Sequence, residues 1–369
     1  MSSASELPVL AETISCESGR KVAVLTLNVP KTINALTSDM VDILYRHLSE
    51  WKDDDSIACV ALRGAGDKGF CAGGDVVALR NSSLAQDGEA ESFFKREYRL
   101  DHLIHVYPKP IIAWGHGIVM GGGLGLLSGA SHRVVTAKTR LAMPEVTIGL
   151  FPDVGGSWFL NKMPGRTGLF LALTGAAIRA GDTLFLGLGD HFLDHGQWEE
   201  LLSQLSSANW GDEEQNRNLV TGILNELSAS AGPAPESVVE QHFDAIQALT
   251  EGSSFTEVVD KILSYQGDDE WLSLAVKTLK HGCPSSVAIS YEQLQRSKDY
   301  SLEEVFQSEL IVATNAISSP NFAEGVRALL IDKDRNPSFS PATLEELTPE
   351  HVASYFERSW PDGNPLQDL

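Results

Sequence analysis

Cysteine and basic residues are scarce in this sequence, and both shortages exclude classes of protein. Four cysteines occur in 369 residues, none of them in a C-x-x-C pair, so a disulfide-rich secreted scaffold is not expected. Lysine and arginine number 28 against 50 aspartates and glutamates, which gives a formal net charge of −22. A surface of this sign repels polyanions, so we expect neither a nucleic-acid partner nor a membrane partner.

Targeting signals and several common catalytic motifs are also missing. Residues 1–12 lack a basic segment followed by an apolar run, and the C-terminal sequence PLQDL is not a peroxisomal signal, so we predict a cytoplasmic protein. The P-loop, the G-x-S-x-G elbow and H-E-x-x-H are absent. The G-x-G-x-x-G at residues 64–69 leads into more glycine instead of a long helix, so a dinucleotide site is not expected there.

One uncharged stretch imitates a membrane helix. Residues 111–130 contain no Asp, Glu, Lys or Arg, and their glycines recur at the G-x-x-x-G spacing of membrane helix dimers. A triple glycine and His116 interrupt the stretch, and each glycine costs roughly 1 kcal/mol in a helix interior. We predict a buried strand, a glycine turn and the start of a helix instead.

Strand and helix patterns alternate through the first half of the chain, which predicts an α/β fold with a parallel sheet. The predicted strands are residues 21–27, 57–62, 110–114 and 133–137, and the predicted loop is 81–90. One helix is predicted from an N-cap at residue 37, 38 or 39 to about residue 51, and another over 91–106. Strand patterns become rare later, where helices are predicted within residues 285–330 and 341–357. We therefore divide the chain into a catalytic core at 1–200 and a mainly helical C-terminal region at 201–369.

Two glycine-rich segments follow predicted strands and are candidates for ligand-binding loops. They are FCAGGD at residues 70–75 and MGGGLG at residues 120–125. Glycine lets a backbone N–H approach a ligand closely, and two converging N–H groups form an oxyanion hole. The alternative is that both segments are ordinary tight turns. Cys71 is predicted to be a small packing residue, because the sequence places no histidine base beside it.

Two acidic residues stand alone in the apolar segment at residues 143–156. Glu145 and Asp153 lie eight positions apart, among proline, glycine and aromatic residues that exclude a single helix or strand. A carboxylate in apolar surroundings has a raised pKa and suits general-base or nucleophilic catalysis. The alternative is that both acids cap the ends of secondary-structure elements.

These motifs together resemble the crotonase (enoyl-CoA hydratase/isomerase) superfamily, through FCAGGD, MGGG and MPE-x-x-IG-x-FPD-x-GG. Within it the sequence is most similar to the 3-hydroxyisobutyryl-CoA hydrolases, because FFKREY at residues 93–98 and FAEGVRALLIDKDRNPSFSP at residues 322–341 also match that subgroup. The resemblance runs from about residue 9 to 357. It implies a crotonase-like spiral of ββα units followed by a helical C-terminal region.

The resemblance also implies roles for individual residues. Glu145 and Asp153 match the catalytic acids, and the backbone N–H groups of Ala72 and Gly122 match the oxyanion hole. The residues expected to contact the substrate are Glu97, Gly121, Gly73, Gly74 and Asp75. The implied ligand is an acyl-CoA, with coenzyme A as part of the substrate and no metal or redox cofactor. Superfamily members often form trimers, so a homo-oligomer is also expected as a candidate state.

One departure from the superfamily pattern bears on the reaction. Hydratases carry a second catalytic glutamate three residues after the glycine matched by Gly122, and this chain has Gly125 there. Asp153 in turn occupies a position that is glycine in hydratases. The resemblance therefore implies hydrolysis of a short 3-hydroxyacyl-CoA, with (S)-3-hydroxyisobutyryl-CoA from valine degradation as the first candidate. The alternatives are a crotonase-type lyase or isomerase, and an acyl-CoA-binding protein without turnover.

Overall fold

The computed structural model describes residues 7–369 and confirms an α/β fold with a parallel sheet and a helical C-terminal region. Residues 1–6, on which part of the N-terminal prediction depends, lie outside the described residues. The strands are β1 (Val9–Ser15), β2 (Lys21–Leu27), β3 (Ile57–Gly64), β4 (Gly69–Cys71), β5 (Ile111–Gly115), β6 (Ile118–Met120), β7 (His132–Val135), β8 (Arg140–Ala142), β9 (Ile178–Arg179) and β10 (His191–Phe192).

Helices occupy most of the remaining chain. They are α1 (Ser38–Lys52), α2 (Val76–Ala85), α3 (Glu89–His105), α4 (Gly122–Ser128), α5 (Gly156–Asn161), α6 (Thr167–Thr174), α7 (Ala180–Phe185), α8 (Trp198–Ser207), α9 (Glu213–Ala231), α10 (Val238–Gln241), α11 (Phe243–Leu249), α12 (Phe255–Leu263), α13 (Glu270–His281), α14 (Pro284–Arg296), α15 (Leu302–Ser318), α16 (Pro320–Val326) and α17 (Pro349–Ser354). Short 3₁₀ turns include one at Glu145–Thr147.

The chain folds into two compact units, each made of three stretches. The first unit comprises the residues up to Gly74, Leu100–Leu141 and Ile178–Glu240. The second comprises Asp75–Arg99, Ala142–Ala177 and Gln241–Leu369. The stretches alternate along the sequence, so the two units do not follow the predicted division at residue 200.

The first unit is built on a six-stranded sheet with the order β1-β2-β3-β5-β7-β10. Its strands are parallel except for β1, which pairs antiparallel with β2. Strand β3 is almost continuously apolar and buried, as expected for a parallel strand covered on both faces. Helices α8 and α9 pack against this sheet, and Trp114, Trp198 and Leu224 lie in the shared core. Burying each such side chain contributes roughly 1.5–3 kcal/mol.

A smaller sheet with the order β4-β6-β8-β9 places the two glycine-rich segments side by side. Strands β4 and β6 run parallel, and each is followed at once by one of these segments. The uncharged stretch at residues 111–130 forms β5, β6 and α4, so the predicted strand and helix start are confirmed, and β6 is a second strand that was not predicted. Within residues 7–369, no helix is both long and apolar enough to cross a membrane.

The second unit is mainly helical, and one prediction made for its residues is wrong. Residues 81–90 were expected to form a loop, yet α2 continues to residue 85. Contacts within the unit explain the difference, because Arg80 donates a 2.8 Å hydrogen bond to the Ala323 carbonyl and Ser83 donates to the Ile317 carbonyl. These bonds outweigh the weak helix propensity of asparagine and serine.

Candidate active site

The two glycine-rich segments of the first unit meet through their backbones. Gly73 and Gly121 have φ values of 98° and 49°, in a region that residues with side chains rarely adopt. A Cβ atom added to Gly73 would lie 3.5 Å from the Gly122 nitrogen, which shows how closely the segments approach. A Cβ on Gly123 would lie 2.6 Å from the Cys71 carbonyl oxygen. Glycine is therefore required here for the close approach of two chains.

The N–H groups of these segments differ in whether they are free to bind a ligand. The Ala72 N–H donates a 2.9 Å hydrogen bond to the Ile33 carbonyl, so the prediction that Ala72 supplies an oxyanion donor is corrected. The Gly73 N–H points to the Cys71 sulfur at 3.4 Å. Among residues 7–369, the Gly74 and Gly122 N–H groups donate no backbone hydrogen bond. Both are therefore available to bind a ligand.

Two further residues of the first glycine segment have structural roles in this fold. Cys71 is fully buried, and its thiol lies 3.2 Å from the Asn34 carbonyl oxygen, in accord with a packing role. Asp75 caps α2, because its carboxylate accepts a 3.0 Å hydrogen bond from the Ala78 N–H. The expected contact of Asp75 with substrate stays a prediction.

The second unit gathers the predicted acids into one buried cluster. Glu97 lies on α3, Glu145 begins the 3₁₀ turn at Glu145–Thr147, and Asp153 lies in the loop before α5. The three acidic residues are only 2–6% exposed. Burial of a carboxylate is unfavourable unless partners compensate for the lost water. Neither a lysine nor an arginine forms an ion pair with these acids among the described residues.

Two of these carboxylates keep an oxygen without a partner. Among the described residues, Glu97 Oε1 and Glu145 Oε2 are buried and have no hydrogen-bond donor. Burial raises the pKa of Glu145 well above its usual value, and the charge of Asp153 raises it further. Burial also raises the pKa of Glu97, with added effects from the charges of Asp153 and Glu145. Both carboxyl groups are therefore more basic than ordinary glutamates.

Asp153 differs because it has a strong hydrogen-bond partner that the sequence analysis did not predict. The hydroxyl of Tyr98 donates a 2.5 Å hydrogen bond to Asp153 Oδ2. Burial raises the pKa of Asp153 to about 7, although this hydrogen bond acts in the opposite direction. Tyr98 follows Glu97 directly in FFKREY, so its place in that motif was the available signal.

A second unpredicted residue, Glu309 on α15, contacts the loop that carries Asp153. Its Oε2 accepts a 2.7 Å hydrogen bond from the Gly155 N–H, and its Oε1 accepts a 2.9 Å bond from the Ser157 N–H. Burial is the largest cause that raises the pKa of Glu309 to about 8, and the two N–H donors oppose it. An acid on the apolar face of a helix was the signal in the sequence, since Val305, Phe306 and Leu310 share that buried face.

A family model matches most of the chain. The family model for enoyl-CoA hydratase/isomerase matches residues 22–356. The chain belongs to the enoyl-CoA hydratase/isomerase family. The crotonase resemblance seen in the sequence is thereby confirmed.

Curated members of the family align with nearly the whole chain. A protein of Danio rerio is 38% identical over 96% of this chain and 91% of its own length. A Homo sapiens protein is 35% identical, with 94% of this chain and 89% of its own length covered. Both are named 3-hydroxyisobutyryl-CoA hydrolase, mitochondrial.

Solved structures of the family share the fold but are described by other reactions. A carnitinyl-CoA dehydratase from Mycobacterium thermoresistibile has a TM-score of 0.85 and 35% identity, with 96% of this chain and 97% of that chain covered. An enoyl-CoA hydratase from Rhodobacter sphaeroides 2.4.1 has a TM-score of 0.83 and 31% identity, with coverage of 96% and 99%. These descriptions make the choice between hydrolysis and hydration the main functional question.

Taken by itself, the second unit holds carboxylates that can supply acid–base chemistry. The first unit holds backbone N–H groups of the kind that stabilise a negative charge. In the described part of the chain, no cluster of three or more histidine, cysteine, aspartate or glutamate side chains could hold a metal ion. The expectation that the protein uses no metal or redox cofactor stays a prediction.

Proposed function

We propose that this enzyme hydrolyses the thioester of a short 3-hydroxyacyl-CoA, with (S)-3-hydroxyisobutyryl-CoA as the principal substrate. Water and the thioester give 3-hydroxyisobutyrate and free coenzyme A, as in valine degradation. The observation that carries the proposal is Glu145, a buried carboxylate with a raised pKa and an oxygen that no other residue binds. The curated relatives named above support the choice of substrate.

Hydrolysis of a thioester passes through a tetrahedral intermediate with a negative oxygen, which needs hydrogen-bond donors. In this proposal the Gly122 and Gly74 N–H groups supply them, because neither donates a backbone hydrogen bond in the described residues. Gly74 thus takes the role that the resemblance gave to Ala72, while Gly73 and Gly121 provide the backbone conformation. Loss of one such donor typically raises the barrier by about 3–4 kcal/mol.

Glu145 provides the nucleophile or the general base. In the first route its carboxylate attacks the thioester carbonyl, coenzyme A leaves as a thiolate, and water then cleaves the mixed anhydride. In the second route Glu145 takes a proton from water, and the hydroxide attacks the same carbon. The C–S bond then breaks, and coenzyme A leaves as a thiolate that takes up the proton from Glu145. The raised pKa makes Glu145 a stronger base in either route.

Asp153 provides selectivity for substrates with a 3-hydroxyl group. The Tyr98 hydroxyl binds Oδ2, and we assign Oδ1 to the substrate hydroxyl. A thioester without this hydroxyl would leave the buried carboxylate oxygen unpaired, which is unfavourable. Glu97 contributes a further substrate contact through its unpartnered Oε1.

Hydration or dehydration of an enoyl thioester is the second candidate, because two solved relatives carry those descriptions. Addition of water across a double bond uses two carboxylates in family hydratases. At the position of the second carboxylate this chain has Gly125, which is buried within α4. The missing acid favours hydrolysis over hydration. A binding protein without turnover is disfavoured by the basic, unpaired Glu145.

The compartment and the assembly remain predictions. The cytoplasmic location was inferred from the N-terminal and C-terminal sequences, whereas the curated relatives are named as mitochondrial proteins. Cell fractionation decides between them. Homo-oligomer formation is tested by light scattering of the purified protein.

A panel of thioesters tests the proposed function. Purified protein is mixed with short acyl-CoAs that do or do not carry a 3-hydroxyl group, and free coenzyme A is measured with a thiol reagent. We expect the fastest release from (S)-3-hydroxyisobutyryl-CoA and slower release from isobutyryl-CoA. No thiol release from any member of the panel would contradict the proposal.

A further inference from the structure

Helix α15 supplies a buried carboxylate that the proposed reaction does not use. Glu309 is 0% exposed, and both of its oxygens are bound to the loop after Asp153. Oε2 accepts the Gly155 N–H at 2.7 Å, and Oε1 accepts the Ser157 N–H at 2.9 Å. A carboxylate that binds two amides of one loop restrains the loop more than a single hydrogen bond does.

The backbone after Asp153 has conformations that need such a restraint. Val154 has a φ of 53°, which is rare for a β-branched residue, and Gly155 follows with a φ of 81°. The Asp153 carbonyl also accepts a 2.7 Å hydrogen bond from the Gly156 N–H, so the chain reverses directly after the acid. Backbone in these regions persists where surrounding contacts hold it, and Glu309 provides two such contacts.

The side chain of Asp153 is held through the same helix by a second route. The Tyr98 hydroxyl donates to Asp153 Oδ2, and the Tyr98 ring lies 5.9 Å from the Phe306 ring between centroids. Phe306 precedes Glu309 by three residues on α15, so the two side chains lie on the same face. Helix α15 thus contacts both the backbone after Asp153 and the tyrosine that binds its carboxylate.

We propose that Glu309 is a positioning residue that sets the selectivity of the enzyme for hydroxylated thioesters. It holds the loop at residues 153–157 so that Asp153 directs an oxygen to the 3-hydroxyl of the substrate. The inference rests on the proposed function of Asp153. Glu309 itself contacts no substrate atom and acts through Asp153 alone.

Glu309→Gln tests the inference with little change of size. The amide replaces one acceptor oxygen by an NH₂ donor, which then faces a backbone N–H and cannot bind it. The matched control is Asp182→Asn in the other unit. Asp182 is likewise buried and accepts hydrogen bonds from the Arg179 N–H, the Val239 N–H and the Ser237 hydroxyl.

The decisive readout is a ratio of two substrates that differ only in the hydroxyl group. We expect kcat/KM for (S)-3-hydroxyisobutyryl-CoA, divided by kcat/KM for isobutyryl-CoA, to fall about tenfold in Glu309→Gln, as for one lost hydrogen bond. The ratio should stay at the wild-type value in Asp182→Asn. A general loss of structure would lower both kcat/KM values together and leave the ratio unchanged.

Hydrogen exchange gives a second readout that requires no turnover. In Glu309→Gln, peptides covering residues 151–160 should exchange faster than in the wild type, because one of the Gly155 and Ser157 amides loses its acceptor. Asp182→Asn should leave these peptides unchanged. If Glu309→Gln does not fold, Glu309→Asp replaces it. That variant keeps the charge but shortens the reach, so we expect a smaller fall of the ratio.

The outcomes separate this inference from the proposed function. A fall of the ratio with faster exchange supports the positioning role of Glu309. An unchanged ratio, or an unchanged exchange rate, overturns it even if the wild type is an active hydrolase. If the wild type releases no coenzyme A from either thioester, the proposed function fails, and with it the selectivity role assigned to Glu309.

Discussion

Two buried acids, one in each unit, have opposite surroundings. Asp182 in the first unit accepts three hydrogen bonds at 2.8–2.9 Å, from the Arg179 and Val239 N–H groups and the Ser237 hydroxyl. Glu145 in the second unit is also buried, yet its Oε2 has no donor among the described residues. A fully bonded carboxylate stabilises its surroundings, whereas an unbonded one costs folding free energy. This difference is why we propose Glu145, and not Asp182, as a catalytic residue.

The same contrast occurs inside the second unit. Glu309 has a backbone N–H on each oxygen, while Glu97 keeps Oε1 without a donor. Burial raises the pKa of both groups, so the direction of the pKa shift does not distinguish them. The two groups differ instead in whether their oxygens have hydrogen-bond donors. A perturbed carboxylate becomes a candidate for catalysis when its oxygens also remain available to a ligand.

The largest effect is expected when Glu145 loses its carboxylate. Glu145→Gln should lower kcat for (S)-3-hydroxyisobutyryl-CoA by at least ~100-fold, because an amide is neither a base nor a nucleophile. Asp182→Asn should keep kcat near the wild-type value. Free coenzyme A is measured with a thiol reagent for both variants. Near wild-type turnover in Glu145→Gln would remove Glu145 from the mechanism.

The next effect concerns selectivity at Asp153. Asp153→Gly removes the proposed partner of the substrate hydroxyl and should reduce the preference for (S)-3-hydroxyisobutyryl-CoA over isobutyryl-CoA by about tenfold. Binding of the acyl-CoA to this variant, measured by calorimetry, should remain detectable. A variant that keeps the wild-type preference would show that another residue binds the hydroxyl.

A smaller effect appears in stability and has opposite signs for the two acids. Asp182→Asn should lower the free energy of unfolding by about 1–3 kcal/mol, since it disrupts satisfied buried hydrogen bonds. Glu145→Gln should leave it unchanged or raise it, because a buried, unpaired carboxyl is replaced by a neutral group. Urea denaturation measures both. Equal losses in the two variants would refute the distinction between them.

A further effect is a dependence of stability on pH. The pKa of Asp153 is raised to about 7 in the folded protein from its ordinary value of 3.8. Between these values the folded state binds more protons than the unfolded state, so stability falls as pH rises from about 4 to 7. Asp153→Asn should therefore lose less stability than the wild type when the pH is raised from 5 to 7.5. Parallel urea titrations at these pH values would detect the difference, and equal losses would contradict the raised pKa.

Local patterns were sufficient to predict five elements of the first unit, namely β2, β3, β5, β7 and α1, while its shorter strands and the helices after residue 178 were not predicted. The β-branched run at residues 21–27 is β2, and the helix expected to run to about residue 51 ends at Lys52. Of the three N-cap candidates at residues 37–39, Thr37 caps that helix through the Met40 N–H. Residues 81–85 were mistaken for a loop because asparagine and serine are weak helix formers. The contacts that stabilise α2 come from residues more than two hundred positions later.

Short sequence motifs predicted some residues of the candidate site but not the residues that bind them. Glu97, Glu145 and Asp153 lie together in one buried cluster, as the motifs implied. Tyr98 and Glu309 were missed because their partners are 55 and 154 positions away in the sequence. The donor at Ala72 was wrongly expected because a motif does not show which N–H groups the fold already uses. The fold shows that the Ala72 N–H already donates a hydrogen bond to the Ile33 carbonyl.

Hydrolysis and hydration measured side by side test the central claim most directly. The wild-type protein is assayed for thiol release from (S)-3-hydroxyisobutyryl-CoA and for loss of the enoyl-thioester absorbance of crotonyl-CoA. Because Gly125 replaces the second hydratase acid, hydration should be at least ~100-fold slower than hydrolysis. Hydration as fast as hydrolysis would contradict the account and make the protein a hydratase.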